Sequence, residues 1–202
     1  MKYDHIEVPA DGEAIVANPD HTLVVPDCPV IPFIEGDGIG TDVTPVMLNV
    51  VEAAVEQAYG DKRHIRWMPV YAGQRATEVY GDDVYLPDET LDALKRFVVS
   101  IKGPLATPIG GGIRSLNVAI RQTMDLYACV RPIRYFPGVE TPMKESDLVD
   151  MTVFRENTED IYAGIEFLEG SPEAAKFLDL LKENFPALFA KIRFPETTGI
   201  GI

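Results

Sequence analysis

Apolar and polar positions alternate between two periods along this chain. Residues 29–34 form an almost unbroken apolar run that ends in Glu35-Gly36-Asp37-Gly38-Ile39-Gly40, the pattern of a buried strand closed by a tight glycine loop. Val43, Val46, Met47, Val50, Val51, Ala54 and Val55 then recur at helical spacing. Thr41 or Asp42 is suited to cap that helix, Pro45 is tolerated in its first turn, and Gly60 ends it. Residues 65–71 read as a second strand. Asp88 reads as the cap of a shorter helix carrying Leu91, Leu94 and Lys95, and 97–101 as a buried strand that breaks at Lys102-Gly103-Pro104. Pro108-Ile109-Gly110-Gly111-Gly112 opens a helix predicted from about Arg114 to Tyr127, with Leu116, Ala119, Ile120 and Thr123 on its core side. Residues 151–155 and 161–167 read as strands, the second alternating Ile161, Ala163, Ile165 and Phe167 on one face. Ser171-Pro172-Glu173 starts a last helix that Pro186 interrupts. Residues 1–23 are polar and acidic and are expected to be peripheral. Strands alternating with helices predict an α/β fold, without repeats or low-complexity tracts.

Composition narrows the partners. The 202 residues are 46% hydrophobic with a mean hydropathy of zero, as for an ordered core. No apolar run approaches the ~18–20 residues of a membrane span, and residues 1–23 lack the basic start and apolar centre of a signal peptide. Cys28 and Cys129 are too few for a disulfide framework, and His5, His21 and His64 are isolated, so no zinc site of His and Cys is expected. The chain reads as cytoplasmic. A formal net charge of -14 disfavours nucleic acid and anionic membrane as partners. Against that background five of the ten arginines lie between Arg114 and Arg155, where Lys144 is the one lysine. Such a gathering suits either an anion site or structural ion pairing.

The loop at 36–40 is not a dinucleotide fingerprint. The G-x-G-x-x-G pattern needs glycine where Thr41 stands, so a tight strand-to-helix turn is the better reading. The block from Lys102 to Arg134 holds more chemistry. Its glycine loop and helix start offer backbone N–H groups to an anion. Ser115 and Asn117 can donate to a carboxylate, and Asn117 and Arg121 share a helix face opposite Leu116 and Ile120. Arg131 follows the helix. A guanidinium matches a carboxylate as a planar fork. Taken alone, Ser115 could equally be a helix cap and Arg121 a partner of Asp125 at i, i+4.

Together, I-E-G-D-G-I-G at 34–40, the 102–134 block and F-R-E-N-T-E-D-I-Y-A-G-I-E-F at 154–167 resemble the NADP-dependent isocitrate dehydrogenases of bacterial type, from about residue 30 to the end. The resemblance implies the isocitrate/isopropylmalate dehydrogenase-like α/β fold, not a Rossmann fold, and incomplete in this chain. It implies residues 1–126 as part of a large α/β domain, 127–159 as the first segment of a small one, and 160–202 as a clasp-like dimerisation segment. The implied reaction is oxidative decarboxylation of isocitrate to 2-oxoglutarate with reduction of NADP. Ser115, Asn117, Arg121, Arg131 and Arg155 would bind isocitrate, and Tyr162 would be catalytic. Ala106, Thr107 and Asn117 would contact the cofactor, although Ala106 stands where the family has threonine.

The chemistry suits those residue types. Three arginine forks and neutral donors offset three carboxylates and orient them. Hydride loss gives a β-keto acid, and loss of carbon dioxide gives an enolate that Mg2+ or Mn2+ can stabilise. A tyrosine near cations can then protonate the enolate carbon. The family's metal aspartates, catalytic lysine and NADP-selecting segment would lie beyond Ile202, so these residues alone are expected to be an inactive, poorly stable fragment. Ser115 is also a candidate for regulatory phosphorylation, since a phosphate there adds about -1.5 to -2 charges where a substrate carboxylate belongs; a kinase and phosphatase would be the partners, beside a second copy in a homodimer. Two alternatives stand: a sister β-decarboxylating dehydrogenase acting on isopropylmalate, homoisocitrate or tartrate, and a non-catalytic carboxylate-binding or dimerisation module.

Overall fold

The computed structural model describes residues 2–106, 115–159 and 163–201, in two compact units, Met1–Met124 and Asp125–Ile202. The first opens with a short antiparallel pair, β1 (Val16–Ala17) and β2 (Leu23–Val24). There follow β3 (Val30–Ile34), α1 (Gly40–Tyr59), β4 (Arg66–Pro69), α2 (Gln74–Tyr80), α3 (Asp88–Phe97), β5 (Ile101–Lys102) and α4 (Leu116–Thr123). β3 is the centre of a parallel sheet in the order β4-β3-β5. A strand covered on both faces carries an unbroken apolar run, and Val30, Ile31, Pro32 and Ile34 are all buried. Around them pack Met68, Val70, Ala93, Leu94, Phe97 and Ile120.

Several expected boundaries move. α1 begins at Gly40 with Ile39 before it and has no side-chain cap, because the Thr41 hydroxyl donates backwards to the Gly38 carbonyl at 3.0 Å. Pro87, not Asp88, stands at the cap of α3; its extended backbone hands the chain to the helix, and Asp88 supplies negative charge inside the first turn. Phe97 closes that helix instead of opening a strand, since Val98 turns at φ 65 and leaves only Ile101–Lys102 extended. α4 stops at Thr123 because Asp125 adopts φ 53. The predicted opening of that helix at Arg114, with the glycine loop before it, lies outside the described residues. Along α1, Val43, Val46 and Val50 are exposed while Thr44 is buried, its hydroxyl donating to the Glu35 carbonyl at 2.7 Å. Helical spacing thus finds the helix, while Val43, Val46 and Val50 of its apolar stripe stay exposed.

The first residues are not peripheral either. Tyr3 and Ile6 are buried in the core cluster, and Ile15 is buried too. The Tyr3 hydroxyl donates to Asp92 at 2.7 Å; burial and that carboxylate push its pKa up to about 12. Glu89, at the start of α3, accepts the backbone N–H groups of Asp4 and His5 and the Tyr80 hydroxyl, the last at 2.7 Å. Burial raises the Glu89 pKa, but these bonds outweigh it and hold the carboxyl below its usual range. A lowered carboxylate pKa stabilises the fold above the unfolded value, about 4.3 for glutamate, and the effect fades as pH falls through the folded value. Glu89→Gln is therefore expected to lower stability by about 1–3 kcal/mol at neutral pH. Thermal melts of the two proteins should converge as pH drops below 4, and a pH-independent gap would count against the carboxylate.

The second unit begins with the antiparallel ribbon β6 (Ala128–Arg134) and β7 (Asp150–Glu156). It continues through β8 (Glu166–Phe167), α5 (Pro172–Asn184), α6 (Pro186–Phe189) and β9 (Ile200–Gly201), with β8 and β9 antiparallel. Ser171 caps α5 by accepting from the Ala174 N–H at 3.1 Å, with Pro172 in the first turn. The strand expected over 161–167 is reduced to Glu166–Phe167 among the described residues, because Gly164 leaves the extended region at φ 72.

Candidate active site

α4 brings Asn117 and Arg121 onto one helical face, because four residues make about one turn. Leu116 and Ile120 are buried on the other side, and Asn117 and Arg121 are half-buried. Ser115 occupies the cap position, yet its side chain makes no capping hydrogen bond. Among the described residues no ion pair joins Arg121 to Asp125. The two ordinary structural roles open to Ser115 and Arg121 are therefore not the ones they fill.

Lys102, which sequence reasoning had not placed among the site residues, feels the charge of Arg121 on this helix. Its Nζ donates to the Gly103 carbonyl at 2.8 Å. Partial burial lowers its pKa, and the Arg121 guanidinium lowers it further, against a pull upward from Asp37. A cation whose charged form is disfavoured by a neighbouring guanidinium marks a place where an added anion is favoured.

Asp37 organises the loops beside them. One carboxylate oxygen accepts the Gln74 N–H and the other the Ala106 N–H, both at 2.8 Å, while the Asp37 N–H donates to the Pro104 carbonyl at 2.7 Å. Gly73, at φ 70, has no room for a side chain here: a Cβ would stand 2.3 Å from the Asp37 carboxylate. Asn117 Nδ2 reaches toward the Leu105 carbonyl at 3.5 Å. The signal for Asp37 was a carboxylate between two glycines at a strand end, which had been read for its glycines alone. Thr107 lies outside the described residues.

In the second unit the ribbon register pairs Cys129 with Arg155 and Arg131 with Val153. Arg131 and Arg155 consequently share one face as diagonal neighbours, about 7–8 Å apart at the backbone. After Arg155 the chain turns around Glu156, whose carboxylate accepts the N–H groups of Asn157, Thr158 and Glu159 and the Thr158 hydroxyl. The backbone donors of Thr158 and Glu159 hold that carboxyl below its usual range. Asn157 is buried and donates to the Leu126 carbonyl at 3.3 Å, which pins the turn. Tyr162 lies outside the described residues. Among the described residues no three His, Cys, Asp or Glu side chains gather as a metal site.

The sequence profile of the isocitrate/isopropylmalate dehydrogenase family matches residues 30–184. The chain belongs to that family. The chain is similar to isocitrate dehydrogenase [NADP] of Pseudomonas aeruginosa, 60% identical over all 202 residues and spanning 48% of that protein. It is 62% identical over the same length to isocitrate dehydrogenase [NADP] of Coxiella burnetii, spanning 47% of it. The crystal structure of isocitrate dehydrogenase from Methylococcus capsulatus matches 77% of this chain and 48% of its own, at 35% identity and a TM-score of 0.59. The chain thus spans about half the length of the curated relatives it matches. Membership in the isocitrate/isopropylmalate dehydrogenase family accords with the α/β fold and with setting aside the dinucleotide fingerprint at 36–40.

Proposed function

We propose that this chain is part of an enzyme that oxidises and decarboxylates isocitrate to 2-oxoglutarate with reduction of NADP. The observation that carries the reading is identity of 60–62% over every residue to proteins described as isocitrate dehydrogenase [NADP]. The influence of the Arg121 charge on Lys102, with Ser115 and Asn117 on the same helix as Arg121, supports it, since an anion with several carboxylates needs cations and neutral donors together. In this reading Arg121, Arg131 and Arg155 orient the carboxylates, and Ser115 and Asn117 donate to the substrate. Tyr162 Oη gives its proton to the carbon left by the departing carbon dioxide. Residues 1–126 belong to the large domain, 127–159 to the small one, and 160–202 to a dimer clasp.

The residues present suit a nicotinamide cofactor in one respect. The Ala106 N–H is held by Asp37, and a backbone carbonyl there would accept from a carboxamide NH2 without needing a side-chain hydroxyl. Ala106, Thr107 and Asn117 would hold NADP, which when bound accepts the hydride. Among the described residues no three His, Cys, Asp or Glu side chains gather to hold Mg2+ or Mn2+. No helix among the described residues is long and apolar enough to cross a membrane, and a cytoplasmic, homodimeric enzyme is the form we propose. Phosphorylation of Ser115 by a kinase, reversed by a phosphatase, would block the carboxylate position by charge.

The native gene product containing this chain should reduce NADP at 340 nm with isocitrate and a divalent cation. Turnover of isopropylmalate, homoisocitrate or tartrate in preference to isocitrate would overturn the substrate assignment. Binding of isocitrate without turnover would leave only a carboxylate-binding module. A pH profile adds a finer check. Lys102 must be protonated to attract a carboxylate, and its pKa lies below the ordinary lysine range. The KM for isocitrate is expected to climb at alkaline pH before a normal lysine would titrate, and Lys102→Arg should remove that limb.

A further inference from the structure

We propose that Asp37 is a positioning residue of this site, acting on Asn117 through the Leu105–Ala106 peptide. A trans peptide points its N–H and C=O to opposite sides of one rigid plane. Here the N–H belongs to Ala106 and donates to Asp37 at 2.8 Å. The carbonyl belongs to Leu105 and faces Asn117 Nδ2 at 3.5 Å. The carboxylate thus holds this plane from one side, and the carboxamide approaches it from the other.

Asp37 is itself anchored. Its other carboxylate oxygen accepts the Gln74 N–H at the start of α2, and its own N–H donates to Pro104 at 2.7 Å. The absence of a side chain at Gly73 is what admits the carboxylate, since a Cβ would meet it at 2.3 Å. The strand-end loop, α2 and the segment leading toward α4 therefore converge on a single side chain. Only a carboxylate accepts from both N–H groups at once. An asparagine would turn an NH2 toward one of them.

The inference rests on the proposed function, and its test is a double-mutant cycle in the native gene product. Asp37→Asn is expected to raise the KM for NADP about ten-fold, with kcat within about three-fold. If Asp37 acts through Asn117, the same substitution should cost less than two-fold in an Asn117→Ala background. A merely structural role would lower the melting temperature and the active fraction without changing KM, and would add independently to Asn117→Ala. Either of those results overturns the proposal. Amide hydrogen exchange on the unaltered protein reads the geometry without any variant: Ala106 and Gln74 should exchange at least 100-fold more slowly than a free amide, and fast exchange at Ala106 sinks the tether. A parent that neither binds NADP nor oxidises isocitrate removes the functional reading and this inference together. A competent parent with additive variants removes the inference alone.

Discussion

Gly103→Ala should destabilise the protein by about 3 kcal/mol or more, at the upper end of what overpacking costs. On a chain of this length that corresponds to a fall of roughly 6–12 °C in Tm. An added Cβ would stand 2.0 Å from the Glu35 carbonyl oxygen and 2.9 Å from that of Ile34. Both obstacles are backbone, so no side chain can swing aside. Nor can the Glu35 carbonyl retreat. It accepts the buried Thr44 hydroxyl at 2.7 Å, and a Cβ at Gly40 would stand 2.6 Å from it, which shows how closely α1 is packed on the same group. Gly103 must therefore move, breaking its 2.7 Å bond to the Ile34 carbonyl and parting β5 from β3. Gly201→Ala is the control: nothing lies within 4 Å of the Cβ there, and the change should stay within about 0.5 kcal/mol. Equal melting temperatures for the two variants would refute the close packing of β3 and β5.

That crowding explains part of what the sequence hid. The unbroken apolar run at Val30–Ile34 announced a central strand, and the structure places it between β4 and β5. β5 is only two residues long, and its place is set by backbone contacts around Gly103, which leave no pattern in hydropathy. The exposed valines of α1 teach the complementary lesson. Val43, Val46 and Val50 obey helical spacing, but periodicity identifies a face without saying what lies against it. The burial of Tyr3 and Ile6 was hidden for another reason: the segment is attached through the backbone N–H groups of Asp4 and His5 donating to Glu89, and backbone donors leave no mark in composition.

Of the candidate site, the side chains on regular elements were the legible ones. Asn117 and Arg121 follow from one helical turn, and Arg131 and Arg155 share a face once the β6–β7 register is known. Family resemblance, not periodicity, singled out Arg155. Lys102 and Asp37 escaped notice because each acts through a neighbour distant in sequence. Lys102 is depressed by Arg121, and Asp37 binds amides 37 and 69 residues further on.

Replacing Arg121 with methionine in the native gene product should lower kcat/KM for isocitrate by 100- to 1,000-fold, or about 3–4 kcal/mol of transition-state stabilisation. Methionine keeps much of the side-chain length and removes the planar fork, so a carboxylate loses both charge and two directed hydrogen bonds. Arg121→Lys should recover only part of the loss, because a point charge cannot reproduce the fork. A second consequence separates substrate binding from a general weakening of α4. Arg121 now depresses the Lys102 pKa, so removing its charge lets that pKa rise toward the ordinary lysine value. The alkaline limb in isocitrate affinity should then move to higher pH in Arg121→Met, although the affinity itself is lower. Loss of stability alone would reduce activity at every pH and leave the limb where it was. A limb that stays in place would show that Arg121 and Lys102 do not share the anion site, even if activity falls as expected.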